Sequence, residues 1–223
     1  MDGVVISIGE FCISAKILEN LKLKIESYPF DWLFSNIDFI CDCIDTDFQI
    51  FRDEIKNGKQ DFIKSYPDNS FKRIGMPHKD PKNHETIDYY ERRITSFNKI
   101  VKGNDINKNI KKIFLHVKGE PYNEISNDKL DKLCDSLERV GCDNYEIISI
   151  IMSPNNQMEN KSFEKMHYTS SKHNINKYVI YTGNLKIDIG NWLLHLGNYV
   201  DTMKNILSLH DYEKMTIINT NNL

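Results

Sequence analysis

Several features that mark other classes of protein are missing from this chain of 223 residues. No apolar run approaches the roughly eighteen residues that a membrane span requires, so we expect no membrane segment. No basic stretch precedes the first apolar one in MDGVVISIGEFC, and this pattern excludes a signal peptide. The formal net charge is only −3, so we expect no nucleic-acid partner. The glycine-rich fingerprints of dinucleotide and ATP sites are also absent.

Cysteine and histidine are too few and too scattered to predict disulfides or a metal site. The five cysteines form no Cys-x-x-Cys pair, and the seven histidines show no zinc-ligand spacing. The sequence therefore predicts a reduced, metal-free cytoplasmic protein.

Alanine is almost missing, with one residue against 30 Ile, 24 Asn and 24 Lys. Ile, Asn and Lys have AT-rich codons and Ala has GC-rich ones. This composition indicates an AT-rich genome, such as that of a large DNA virus, a protist or a low-GC bacterium. For a viral protein, the expected location is the host cytoplasm.

The apolar residues predict strands that alternate with amphipathic helices. The four strands that we predict for one sheet are Val4–Ile8, Ile113–Val117, Glu146–Met152 and Tyr178–Tyr181. The predicted helices are 12–23, 37–51, 85–101, 127–140 and 190–209, with a hairpin over 62–74 and a long loop over 153–176. This alternation is typical of a three-layer α/β fold with a mostly parallel, Rossmann-like sheet and helical crossovers. We expect one catalytic domain over 1–210, and a tail or linker to a further domain over 211–223.

The turn after the first predicted strand carries the clearest chemical signal. In open α/β sheets, ligands bind where strands end and helices begin. Cys12 falls at such a helix start, where free N–H groups and the helix dipole favour a thiolate and lower the thiol pKa. Gly9 permits a sharp or left-handed turn, and the N–H groups of Glu10, Phe11 or Cys12 could receive an oxyanion. Equally, Cys12 could be a small buried hydrophobic residue.

Four segments, in order, resemble the signature of a family of papain-like cysteine peptidases found in bacteria and large DNA viruses. They are SIGEFCISAKIL, SYPFDWLFS, PHKD and DYYERRITSF, and the resemblance extends over about residues 4–117. Carried over position by position, it implies Cys12 as nucleophile, His78 as base, and Asp31 or Asp80 as the acid that orients the imidazole. Lys79 separates His78 from Asp80, although the family pattern has adjacent His and Asp.

The resemblance also implies further site residues, each with an ordinary structural alternative. Arg92 and Arg93 match a paired-arginine motif, but successive helical residues point apart, so at most one should face a site and the other should pair with Glu91 or Asp88. Trp32 is either a sugar platform or a core anchor. Asp31 could instead cap the following helix or bond the backbone of its own turn, and His78 could simply be solvated. His116, at the end of the second predicted strand, is the second candidate for the base.

Three functions fit these residues. The first is acyl transfer through Cys12, from a thioester donor such as acetyl-CoA to the amine of an amino sugar or nucleotide amino sugar. The resemblance adds that family members accompany glycan-building enzymes, so a fused or associated glycosyltransferase is expected. The second is a cysteine peptidase that uses the same Cys12 and His78. The third is a non-catalytic module that binds an anion or nucleotide sugar at the helix start.

Overall fold

A computed structural model of the chain describes residues 2–58, 75–102, 108–119, 125–154, 162–168, 173–183, 199–210 and 212–218. The strands are β1 Asp2–Ser7, β2 Lys111–Lys118, β3 Tyr145–Ser153, β4 Phe163–Met166, β5 Ile175–Tyr181 and β6 Thr216–Ile217. The helices are α1 Ile13–Asn20, α2 Ile37–Asp45, α3 Gln49–Lys56, α4 His84–Val101, α5 Asn127–Arg139 and α6 Val200–Ser208. None of these helices has both the length and the apolar composition needed to cross a bilayer.

The strands form one six-stranded sheet in the order β4-β5-β3-β2-β1-β6. β1, β2, β3, β5 and β6 run parallel, and only β4 is antiparallel. The four predicted strands are therefore confirmed as members of one sheet. The three-layer α/β prediction is also confirmed, because helices pack on both faces.

Alternation along the strands divides the core into two apolar clusters. On one face, Val4, Ile6 and Phe114 pack with the apolar residues of α2, α3, α4 and α5. On the other face, Val5, Leu115 and Val117 pack with α1 and α6. We call the second cluster the α1-side core. It contains Cys12, so any chemistry at this thiol takes place on the α1 side of the sheet.

Two predicted elements are wrong in detail. The helix predicted over 37–51 breaks after α2, where Asp47 and Phe48 have positive φ angles of 50° and 62°. The break lets Phe48 pack its ring 5.6 Å from Phe30 and 5.5 Å from Phe97, contacts that compensate for the strained backbone. The loop predicted over 153–176 contains β4, which pairs with β5.

Two further expectations are only partly covered. The predicted hairpin over 62–74 lies outside the described residues, and of the predicted helix over 190–209 only the part from 199 is described. Within the expected tail, Thr216–Ile217 pairs with Asp2 and Gly3 of β1. The sheet therefore continues past residue 210, while a further domain stays a prediction.

Candidate functional site

Cys12 is the N-cap residue of α1 and follows the tight turn at the carboxyl end of β1. Its φ and ψ angles are −62° and −4°, and no side chain caps this helix end. The N–H groups of the first helical turn have no partner inside the helix. The turn therefore places a thiol beside backbone donors at the ligand-binding edge of the sheet.

Hydrogen bonds on both sides hold this turn in place. Glu10 N–H donates to the Val117 carbonyl at 3.2 Å, and the Ser35 hydroxyl donates to the Gly9 carbonyl at 2.8 Å. A Cβ at Gly9 would overlap the Ser14 hydroxyl, which is itself bonded to Ser7 at 2.7 Å. Gly9 is thus needed for close packing of α1 on β1. Its φ angle is not positive, so of the two alternatives that were predicted, a sharp or a left-handed turn, the left-handed one does not occur.

The expected oxyanion donors are only partly available. The Glu10 N–H is already bonded to the Val117 carbonyl. The Phe11 side chain is buried in the α1-side core, and its backbone N–H stays a predicted donor. The backbone N–H groups that begin α1, at Cys12 and just after it, can receive a developing negative charge because they have no partner inside the helix.

The Cys12 thiol is not activated in the resting protein. Its residue is only 7% exposed, and burial raises the thiol pKa to about 11, although its own backbone N–H acts in the opposite direction. Desolvation penalises the thiolate more than the start of the helix favours it. The expectation of a lowered pKa is therefore wrong for the free protein.

Asp31 does not orient His78. Its Oδ2 accepts from the Tyr28 N–H at 3.0 Å and forms an ion pair with Lys24 Nζ at 3.1 Å. Burial raises the pKa of this carboxyl, and the Lys24 ammonium partly offsets the rise. Asp31 is thus a buried counterion for Lys24 and fixes the turn that precedes Trp32.

His78 contacts Trp32, which lies on the α1 side of the sheet. The two rings meet edge to face with centroids 6.1 Å apart, and Trp32 packs against the α1-side core that contains Cys12. Within the described ranges, no hydrogen bond joins His78 to Cys12, Asp31 or Asp80. Asp80 instead accepts from the Lys82 N–H at 2.9 Å. His78 is exposed and borders an open cavity of about 490 Å³.

The paired arginines lie on one side of α4. Arg92 is exposed and Arg93 is half-buried, and both border a second open cavity, of about 600 Å³. The Arg93 guanidinium carbon lies 3.6 Å from the centre of the Tyr89 ring. Neither arginine pairs with Glu91, which is bound by Arg52 at 2.7 and 2.9 Å. Both arginines border this cavity, whereas the expectation that at most one of them faces the catalytic site stays a prediction.

His116 is unsuited to be the base. It alternates with Leu115 and Val117 along β2, so its side chain lies on the opposite face of the sheet from the α1-side core. It is fully buried, its Nδ1 lies 3.2 Å from the Ser149 hydroxyl, and burial lowers its pKa to about 3. Its position on the far face and its lowered pKa both argue against His116 as the acceptor of the Cys12 proton.

Sequence reasoning missed the residues that complete this region. Lys24 neutralises Asp31 and lies 4.8 Å from the centre of the Trp32 ring. Lys79 Nζ lies 4.4 Å from the centre of the Tyr89 ring. The insertion of Lys79 between His78 and Asp80 was the one signal in the sequence that could have singled it out.

Comparison with known proteins decides the family. The model of the family described as "Putative papain-like cysteine peptidase" matches residues 3–140, well over half of the chain. The chain belongs to this family. No curated protein and no solved structure matches it significantly. Membership in the papain-like family points to an enzyme that uses a cysteine, and the matched residues include Cys12, Trp32, His78 and Arg93.

Among the described ranges of this papain-like family member, no group of three or more His, Cys, Asp or Glu side chains could hold a metal ion. The region contains a buried thiol at Cys12, an exposed imidazole at His78 and the cations Lys24, Lys79 and Arg93.

Proposed function

We propose that this protein is a cysteine hydrolase of the peptidase type, with Cys12 as its nucleophile. Cys12 sulfur attacks the substrate carbonyl carbon while its proton passes to a base. The amine leaves with a proton, and a thioester remains on Cys12. Water then attacks the thioester, which releases the carboxylic acid and restores the thiol.

One observation carries this proposal: Cys12 is the N-cap residue at the carboxyl end of β1, in a chain of the papain-like family. All five cysteines are buried, so burial does not distinguish Cys12 from Cys41, Cys43, Cys134 and Cys142. Cys41, Cys43 and Cys134 lie within α2 and α5, away from any helix start. Cys12 alone combines a strand end with the N–H groups that can stabilise an oxyanion.

We assign the base to His78, the exposed imidazole that contacts Trp32 beside the α1-side core. Because the resting Cys12 thiol has a raised pKa, the proposal requires proton transfer to His78 after substrate binds. Papain-like enzymes usually keep a preformed thiolate beside a charged histidine. This member would instead ionise its thiol only in the complex.

A second candidate function rests on three cations of this region. Lys79, next to His78 in the chain, and Arg92 and Arg93 on α4 would suit a phosphate-bearing donor such as acetyl-CoA, or a nucleotide amino sugar as acceptor. The same Cys12 thioester would then be resolved by a sugar amine instead of water. A cytoplasmic enzyme fused or associated with a glycosyltransferase would fit this chemistry.

Covalent labelling followed by intact-mass measurement separates the two candidates. The protein is incubated with a peptide vinyl sulfone and, separately, with acetyl-CoA, in the wild type and in Cys12→Ser. A vinyl-sulfone adduct that disappears in Cys12→Ser supports the hydrolase, and an acetyl adduct that disappears supports the transferase. Cys134→Ser is the matched control, because it removes a buried thiol on α5 and should change neither adduct. If neither adduct depends on Cys12, both candidates fail.

A further inference from the structure

One buried serine holds the backbone that leads directly to Cys12. The Ser35 hydroxyl donates to the Gly9 carbonyl at 2.8 Å, and the Ser35 backbone N–H donates to the Glu10 carbonyl at 2.9 Å. The Glu10 N–H donates in turn to the Val117 carbonyl at 3.2 Å. Because peptide units are planar, these three bonds restrain both of the units that Glu10 shares with its neighbours. Ser35 is fully buried, so water does not readily replace its bonds.

The residue before Ser35 is joined to the segment that leads to His78. Phe34 and Gly75 form an antiparallel bridge, in which each backbone N–H donates to the other residue's carbonyl at 3.0 Å. Met76, the residue after the bridge, is fully buried. His78 follows two residues after Met76, so the backbone leading to its imidazole starts from a fixed point.

Trp32 connects the same short segment to His78 by a second contact. Its ring meets the imidazole edge to face, with centroids 6.1 Å apart. The Phe34 side chain lies in the α1-side core together with Cys12. The segment from Trp32 to Ser35 therefore contacts the turn before Cys12, the bridge to Gly75 and the ring of His78.

This arrangement matters because proton transfer from a thiol to an imidazole depends closely on their separation. A displacement of about 1 Å between reacting groups can cost roughly a hundredfold in rate. Without the Ser35 hydroxyl, the buried Gly9 carbonyl loses the bond that ties its peptide unit to the segment beside His78. The turn can then shift relative to that segment, although each remains folded.

We propose that Ser35 is a positioning residue, which keeps the turn of Cys12 and the segment of His78 in a fixed relative position. This inference rests on the proposed function, since it takes Cys12 as the nucleophile and His78 as the base. Ser35 acts through the backbone and contacts no reacting atom. Its loss should therefore lower kcat and leave KM close to the wild-type value.

Steady-state kinetics of the full chain, with a fluorogenic peptide as substrate, test this role. In Ser35→Ala we expect kcat to fall at least about tenfold and KM to change by less than about twofold. Ser35→Thr keeps a hydroxyl on the same carbon and should recover part of the lost kcat. Ser149→Ala is the matched control, because it also removes a buried hydroxyl, which lies 3.2 Å from His116 Nδ1 on the opposite face of the sheet. Its kcat should stay within about twofold of wild type.

Amide hydrogen exchange, followed by NMR, tests the same link without reference to catalysis. In Ser35→Ala, exchange at the Phe34 and Gly75 N–H groups should become at least about tenfold faster, because the bridge loses its connection to the turn. In Ser149→Ala, exchange at these two positions should stay within about twofold of wild type.

The outcomes separate failure of this inference from failure of the proposed function. Turnover that survives in Cys12→Ser refutes the proposed function, and the positioning role falls with it. An inactive Cys12→Ser beside a Ser35→Ala protein of wild-type kcat overturns the positioning role alone.

Two other results would also overturn the positioning role. One is an equal fall of kcat in Ser149→Ala, and the other is unchanged exchange at Phe34 and Gly75 in Ser35→Ala. If Ser35→Ala does not fold, Ser35→Cys replaces it in both measurements, since a thiol of similar size is a much weaker donor.

Discussion

Cys12 should react slowly with alkylating reagents at neutral pH. Burial raises its pKa to about 11, against an ordinary value of 9.0 for cysteine. At neutral pH this gap lowers the thiolate fraction roughly a hundredfold. A thiolate of higher pKa is also a better nucleophile, and over the same difference in pKa this raises its rate of reaction roughly tenfold. We therefore expect alkylation about tenfold slower than that of a small thiol, before any steric hindrance from the α1-side core.

The assay is timed exposure to iodoacetamide, followed by peptide mapping of the Cys12 peptide. Between pH 7 and pH 10 the rate should rise close to tenfold per pH unit, levelling near the pKa. Circular dichroism at each pH ensures that only folded protein is compared. A neutral-pH rate equal to that of a small thiol, with a plateau below pH 8, would show a resting thiolate. In that case our account of Cys12 would be wrong.

Three further predictions concern the groups around the site and in the sheet. His116 has a pKa lowered to about 3 by burial, so its contribution to stability is complete above about pH 6.5 and is lost as the pH falls towards 3. This loss amounts to roughly 5 kcal/mol at most. Urea unfolding at several pH values should show that the free energy of unfolding falls less steeply with decreasing pH in His116→Asn than in wild type. The exposed His84→Asn is the control. Gly9→Ala should lower stability by about 1–3 kcal/mol in urea unfolding, because the new methyl group overlaps the Ser14 hydroxyl; an unchanged midpoint would refute the close packing of α1 on β1. Asp31→Asn should destabilise the fold by about 1–3 kcal/mol, because it removes the buried carboxylate that pairs with Lys24 and leaves Glu19, at 3.3 Å, as that ammonium's remaining partner; the double variant with Lys24→Met should recover part of that loss.

Local sequence patterns were sufficient to predict the four main strands of the sheet. Runs such as Glu146–Met152 are β-branched, apolar and bounded by turn residues, so their strand character is evident without tertiary information. The antiparallel strand Phe163–Met166 was missed because its short sequence, with two exposed charged residues between two half-buried apolar ones, resembles a polar loop. The break at Phe48 was missed because it depends on contacts with Phe30 and Phe97, which are distant in sequence.

The candidate site shows a similar division. The position of Cys12 at a helix start followed from the strand, glycine and helix pattern. The raised pKa of Cys12 could not be predicted in the same way, because the sequence shows that the residue begins a helix but does not show how deeply its thiol is buried. The pairing of Asp31 with Lys24 and the contact between Trp32 and His78 join segments whose approach only the folded chain reveals.

The most direct test of the central claim is the turnover of Cys12→Ser, measured together with its melting temperature on one preparation. Hydrolysis of a fluorogenic peptide pool and consumption of acetyl-CoA are followed in parallel for wild type and variant. Serine is nearly isosteric with cysteine, so we predict a closely similar melting temperature. Because a neutral hydroxyl is a far weaker nucleophile, the wild-type activity should fall by several orders of magnitude. Unchanged turnover in a well-folded Cys12→Ser protein would contradict the assignment of Cys12 as the nucleophile.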